Sequence, residues 1–218
     1  MFTNRRQAGQ RLAVALEHLR GVDAVVVALP RGGVPVAAEV ARYLHLPLDI
    51  RLPHKIGAPF NPELAIASVT EDGELVADPA FLAKLGIDAR ALERLKTVEM
   101  QAVRRRVARL RGHVRRENLK GRTVIIVDDG IATGATVEAA VRMVVTEGAC
   151  RVVVATPVAA SSAVERLSRE AEVVCVRQSD SFAGISEFYL DFTQVTDEQV
   201  LELLRQAVAS RVASSWSG

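Results

Sequence analysis

Long apolar runs are missing from this chain of 218 residues. No stretch reaches the roughly 18 residues that would span a bilayer, which excludes a membrane-spanning helix. The opening residues, MFTNRRQAGQ, lack the apolar segment of a secretory signal, so a cytoplasmic protein is expected. Cysteine is scarce. Cys150 and Cys175 have no metal-ligand spacing and fall in or beside valine-rich runs, so both are expected to be buried, inert thiols. Lysine is scarce too: of 28 basic residues only Lys55, Lys84, Lys96 and Lys120 are lysines. Aromatics make up 4% of the chain and are unevenly spread, with three of the six phenylalanines and one of the two tyrosines inside 178–195. What remains is ordinary for a soluble protein, 49% hydrophobic with a net charge of +2, and it is enough for one sizeable core.

Periodicity orders the chain into alternating strands and helices. Residues 4–20 read as an amphipathic helix. DAVVVAL (23–29) is a short valine-rich run that suits a strand buried on both faces. A helix follows at 34–46 and a strand at 47–52. Residues 53–63 hold three prolines and a glycine and are expected to be irregular. Beyond them, two strand-like arms flank Asp72-Gly73, the sign of a hairpin. A short helix is expected at 79–86. Asp88 then caps a long helix to about Val114, whose stripe runs through Leu92, Leu95, Val98, Ala102, Val103, Val107, Leu110 and Val114. Strands at 123–128, 151–158 and 172–177 alternate with helices at 136–148 and 161–170. A Thr196…Gln199 capping box opens the last helix. Such alternation means a parallel sheet with helices on both faces. One domain over 1–218 is expected, with a small hood at about 178–195 and a flexible loop at about 54–76.

The chemistry concentrates in VIIVDDGIATGATV (124–137). Ligands of open α/β sheets bind beyond the carboxyl ends of the strands, and Asp128 and Asp129 stand at such an end. Side by side they repel, and they become useful when they accept hydrogen bonds from a sugar diol or hold a divalent cation. The small-residue loop after them lets backbone N–H groups approach a ligand, and the next helix aims its positive end there. Thr133 and Thr136 add hydroxyls. Together these features describe a site for a ribose 5-phosphate; the plainer alternative is a strand–turn–helix with an aspartate cap. The spacing fits neither a Walker loop nor a dinucleotide fingerprint. After the first strand, PRGG is either a simple turn or a place where Gly32 and Gly33 admit a diphosphate beside the Arg31 fork.

VIIVDDGIATGAT resembles the signature of the type I phosphoribosyltransferases, which bind 5-phosphoribosyl 1-pyrophosphate (PRPP). The resemblance extends over about residues 20–195. It implies a mostly parallel five-stranded core with a variable hood, and transfer of the phosphoribosyl group to a nitrogenous base with help from Mg2+. Carried over, Asp128 and Asp129 contact the ribose hydroxyls and hold the metal, directly or through water. Ala132, Thr133, Gly134, Ala135 and Thr136 hold the 5-phosphate. Leu29, Pro30, Arg31, Gly32 and Gly33 form the pyrophosphate loop, with a non-proline cis bond expected near Pro30-Arg31-Gly32. Residues 54–76 correspond to a closing loop in which Lys55 neutralises pyrophosphate, with Glu63, Ser68 and Glu71 as weaker candidates. Phe182 and Tyr189 are the expected base-binding aromatics. Family members are usually homodimers.

One departure stands out. Relatives acting on 6-oxopurines carry an acid directly before Thr-Gly, where this chain has Ala132. That favours the adenine or orotate branches without choosing between them. Seven arginines between 104 and 116 raise a second reading, a PRPP-binding regulator that contacts nucleic acid. The apolar stripe on the same helix favours a solvated face paired with acids instead. A third reading is a sugar-phosphate module without catalysis. PRPP synthases share the signature but need two such domains and a longer chain, so this length argues against them.

Overall fold

The computed structural model describes residues 1–69, 71, 73, 75–112 and 114–215, with side chains for all of these except 62, 63, 65, 76 and 211–215. Asp72, at the expected hairpin tip, and the side chain of the candidate Glu63 lie outside the described residues.

Five strands form one parallel sheet: β1 (Ala24–Ala28), β2 (Leu48–Ile50), β6 (Thr123–Val127), β7 (Arg151–Ala160) and β8 (Glu172–Ser179), in the order β2-β1-β6-β7-β8. The alternation within AVVVA and TVIIV explains its place. Val26, Ala28, Ile125 and Val127 pack to one side with α1 (Arg5–Ala15), α2 (Gly33–Leu44) and α7 (Asp197–Ser215). Val25, Val27, Val124 and Ile126 pack to the other with α5 (Ala135–Thr146) and α6 (Ser161–Leu167). Strands apolar on both faces can only be central, and β1 and β6 lie side by side in the middle of the sheet. From β1 the chain turns outward to β2, and from β6 it turns the other way to β7. The crevice between the ends of β1 and β6 is therefore the topological switch point. No helix among the described residues is long and apolar enough to cross a membrane.

Residues 53–63 are not irregular, as their prolines suggested. β3 (His54–Ala58), β4 (Asn61–Val69) and β5 (Leu75–Ala77) make a second, antiparallel sheet. HKIGA alternates, turning Ile56 and Ala58 inward onto α3 (Pro79–Lys84) and α4 (Ala89–Arg111). β5 pairs only with Ala67–Val69, so Pro62 takes no part in that ladder. The expected hairpin arms around residue 73 are the antiparallel β4 and β5.

The long helix begins as expected, with Asp88 accepting from the Ala91 N–H at 2.7 Å. Its stripe needs two corrections: the helix ends at Arg111, so Val114 lies beyond it, and Val98 is 70% exposed, whereas Met100 is buried. Steps of three from Leu92 through Leu95 to Val98 lag the 3.6-residue turn and leave the buried face. The Thr196–Gln199 capping box is present, with both reciprocal hydrogen bonds at 3.2 and 2.9 Å. The cysteines also differ from expectation. Cys150 lies in the turn before β7 and is exposed, and Cys175 is half-covered because β8 is an edge strand.

A buried ion cluster, unannounced by any local pattern, joins the two sheets. Asp49 and Arg51 alternate onto the same side of β2 and are almost fully buried. Arg51 donates to Asp49 at 2.6 Å and to Glu147 at 2.9 Å. Arg111, counted in the solvated arginine run by sequence, is instead buried against Asp49, the Ile50 carbonyl and Glu71. Burial raises the Glu71 carboxyl, and the Arg111 charge opposes that rise. Removing one partner of a buried pair leaves an uncompensated charge, at a cost of about 3–5 kcal/mol. Asp49→Ala should therefore lower unfolding free energy by about that much in urea denaturation, and a loss below about 1 kcal/mol would contradict this account of the cluster.

Candidate functional site

The two loops at the switch point are built against each other. Leu29 donates its N–H to the Val127 carbonyl at 2.9 Å, tying the end of β1 to the end of β6. The Pro30–Arg31 peptide is cis, within the segment where such a bond was expected. A Cβ on Gly32 would stand 2.1 Å from Asp129 Oδ2, and one on Gly33 would stand 2.6 Å from the Val127 carbonyl oxygen and 3.2 Å from Asp128 Oδ1. Only glycine permits this approach. The PRGG loop thus rests directly on the aspartate pair.

The two aspartates have different surroundings. Asp129 is 7% exposed, and its Oδ2 accepts a hydrogen bond from Arg5 Nε at 2.7 Å. Its backbone carbonyl accepts from the Tyr189 hydroxyl at 2.6 Å. Asp128 is only partly exposed; its Oδ1 accepts from the Asp129 N–H at 2.9 Å. Burial, and next the neighbouring Asp129 charge, raise the Asp128 carboxyl well above its ordinary range.

The rest of the loop is pinned and then opens. Ile131 donates to the Val158 carbonyl and accepts from the Ala160 N–H, each at 2.9 Å, which fixes the loop to β7. Ala132, Thr133 and Thr136 are exposed beyond that anchor. Gly134 takes a positive φ of 75° and starts α5, whose first-turn N–H groups point toward the same opening. Arg166 of α6 comes within 3.0 Å of the position a Gly134 Cβ would take, adding a cation near the loop.

Leu29 to Gly33 and Asp128 to Thr136 are therefore brought together. Arg31 stands at the rim, half-exposed, with Nη1 3.5 Å from Asp197 of α7. Lys55 is exposed on β3, opposite Ser68, and belongs to the second sheet rather than to the crevice loops. Phe182 is half-buried and stacks on Phe188 at 5.1 Å. Tyr189 does not suit the base-stacking role given to it from sequence. Its ring is 5% exposed between Phe2 and Phe192, and its hydroxyl, kept protonated by burial, holds the Asp129 carbonyl. Sequence reasoning missed Arg5, which lies 124 residues from its partner on an unremarkable polar helix position. The arginine run is divided as well. Arg111 is buried, Arg109 pairs with Asp197 and Arg116 with Glu147, while Arg104, Arg105, Arg106 and Arg115 are exposed.

A parallel α/β sheet with a glycine loop set against a carboxylate pair at its switch point defines a class of open α/β proteins whose crevice lies at the carboxyl ends of the strands. The comparison with known families then gives the particular one. The model of the phosphoribosyl transferase domain matches residues 7–193, and the chain belongs to that family. Two Mycobacterium tuberculosis proteins provisionally named phosphoribosyl transferases are 41% identical to it over 208 residues. That match covers 95% of this chain but 47% of theirs, so the chain spans about half the length of the curated relatives it matches. The crystal structure of TT1426 from Thermus thermophilus is 48% identical and superposes with a TM-score of 0.85 over 94% of this chain and 98% of that one. A Neisseria gonorrhoeae protein solved with bound ppGpp shares the fold alone, at 14% identity and a TM-score of 0.51, over 94% of this chain and 96% of its own.

Two outcomes test this geometry. Gly33→Ala places a methyl against backbone that cannot rotate away and should destabilise the protein by about 1–3 kcal/mol in denaturant unfolding; an unchanged midpoint would contradict the close approach. The raised Asp128 carboxyl binds its proton more tightly folded than unfolded. Its contribution is therefore complete below the unfolded value of about 3.8 and fades as pH rises through the folded value. The stability of the ligand-free protein relative to Asp128→Asn should fall as pH increases across that window, and a rising difference would show the opposite sign.

Proposed function

We propose that the protein transfers the 5-phosphoribosyl group from PRPP to a nucleobase-like acceptor and releases pyrophosphate. The observation that carries this reading is the apposition of the PRGG loop and the Asp128–Thr136 loop across one crevice. Gly32 lies against Asp129, and Gly33 against Asp128.

Each part of PRPP has a matching surface. The exposed Thr133 and Thr136 hydroxyls and the first-turn N–H groups of α5 suit the 5-phosphate. Of the two carboxylates beside them, the partly exposed Asp128 suits the ribose diol. The backbone of residues 29–33 and the Arg31 guanidinium suit the diphosphate, and Lys55 would reach it from the second sheet. In the reaction, the bond from the ribose anomeric carbon to the pyrophosphate oxygen breaks as the acceptor nitrogen bonds to that carbon. Negative charge grows on the leaving group, where fixed N–H dipoles and Arg31 stabilise it more than they stabilise the substrate. Phe182 is the aromatic that would meet the acceptor base. Ala132 offers no proton acceptor, so the fitting acceptor is one whose nitrogen already presents a lone pair.

Mg2+ fits this donor set. Among the described residues no group of three or more His, Cys, Asp or Glu surrounds a point, so any metal here would draw on fewer protein ligands together with the substrate. Mg2+ is usually held by one or two carboxylates together with substrate phosphates and water, and Asp128 and Asp129 are the residues that would hold it. When bound, it would neutralise charge on the diphosphate.

The test is a panel of bases incubated with PRPP and Mg2+, read as pyrophosphate release. Release with at least one base is expected, and none across purines and pyrimidines would remove the reading. Asp128→Asn combined with Asp129→Asn should abolish the thermal stabilisation by PRPP and Mg2+; an unchanged shift would displace the site. Arg31→Ala should weaken pyrophosphate binding more than ribose 5-phosphate binding, and equal losses would mean that the pyrophosphate loop lies elsewhere.

A further inference from the structure

Arg5 occupies a place that helix stability does not explain. It is the first residue of α1, where a cation opposes the helix dipole, and Asn4 already caps that helix by accepting from the Gln7 N–H at 3.0 Å. The side chain instead leaves the helix and is fixed from three directions. Nε donates to Asp129 Oδ2 at 2.7 Å, Nη1 donates to the Thr193 carbonyl at 2.8 Å, and the guanidinium lies 3.8 Å over the Phe192 ring. The Arg5 and Asp129 side chains are 11% and 10% exposed. On its other side the same Asp129 oxygen faces Gly32, whose Cβ position it nearly fills. Asp129 Oδ2 is thus enclosed between Arg5 and the PRGG loop, whereas Asp128 retains exposure at the crevice.

The geometry points to Arg5 as a positioning residue that commits Asp129 to the underside of the Pro30–Gly33 loop and leaves Asp128 as the carboxylate facing the ribose hydroxyls. This division of labour rests on the PRPP reading above. The Arg5 charge also offsets one of two adjacent like charges, so both carboxylates can be kept at the end of one strand. The two acids therefore serve different parts of the ligand: Asp129 shapes the loop for the diphosphate, and Asp128 contacts the sugar.

Isothermal titration of the full chain with two probes, inorganic pyrophosphate with Mg2+ and ribose 5-phosphate, separates these roles. Arg5→Ala should weaken pyrophosphate binding roughly tenfold, about the worth of one charge-assisted hydrogen bond, and ribose 5-phosphate binding less than about twofold. Arg5→Lys should recover part of the loss, because it keeps the charge while losing the fork. Asp129→Asn should show the same pattern as Arg5→Ala, and the double variant should be no worse than the weaker single, as expected of residues acting as one unit. Asp128→Asn should show the reverse pattern, losing ribose 5-phosphate more than pyrophosphate. Equal losses of both probes on Arg5→Ala, or losses that multiply in the double variant, would overturn the assignment. If Arg5→Ala does not fold, the nearly isosteric Asp129→Asn carries the same test, and a loss confined to ribose 5-phosphate would overturn the assignment. A wild-type protein that binds neither probe would remove the PRPP reading together with this inference, whereas wild-type binding with unsplit variants would remove this inference alone.

Discussion

Two carboxylates stand side by side at the end of β6, and much of the site is arranged around them. Ionised groups about 4 Å apart repel by on the order of 4 kcal/mol at the effective dielectric of a protein surface. The chain offsets that repulsion with one arginine brought from its first helix to Asp129. Burial, and next the Asp129 charge, raise the Asp128 carboxyl, which disfavours its charged form. A strand end that served only packing would have no use for such an arrangement. Tyr189 and Ile185 hold the same loop from the outer side, through the Asp129 carbonyl and against Gly130.

The sheet explains why these loops meet. Because β1 and β6 are apolar on both faces, they are forced to the centre and lie next to each other. Because the chain leaves them in opposite directions, a crevice forms between their ends. The glycines of one loop and the aspartates of the other fill that gap from its two sides. The second sheet joins this frame through the buried Asp49, Arg51, Arg111 and Glu71 cluster. The function proposed for the crevice thus depends on the central position of strands buried on both faces.

Sequence made the central features legible because they are local. A run of four aliphatic residues, two acids and a small-residue loop carries its strand, its charge and its bare backbone within fourteen positions. The capping box at Thr196 and the cap at Asp88 are equally local, and both hold. What escaped notice was long-range or depended on which edge of a sheet a residue occupies. Arg5 meets Asp129 across 124 residues, and Arg111 meets Asp49 across 62, so neither pairing has a period. The proline-rich stretch looked irregular because nothing local announces the antiparallel pairing of β3 with β4 that orders it. Tyr189 was placed at the base because the resemblance puts a stacking aromatic in its segment, yet the aromatics clustered there bury it against Phe2 and Phe192.

A crystal structure of the full chain grown with PRPP and Mg2+ tests the central claim most directly. The account predicts electron density for the diphosphate against residues 29–33, the 5-phosphate against residues 132–136, and the ribose hydroxyls at Asp128. A ligand bound outside the crevice between β1 and β6, with the aspartate pair untouched, would contradict it.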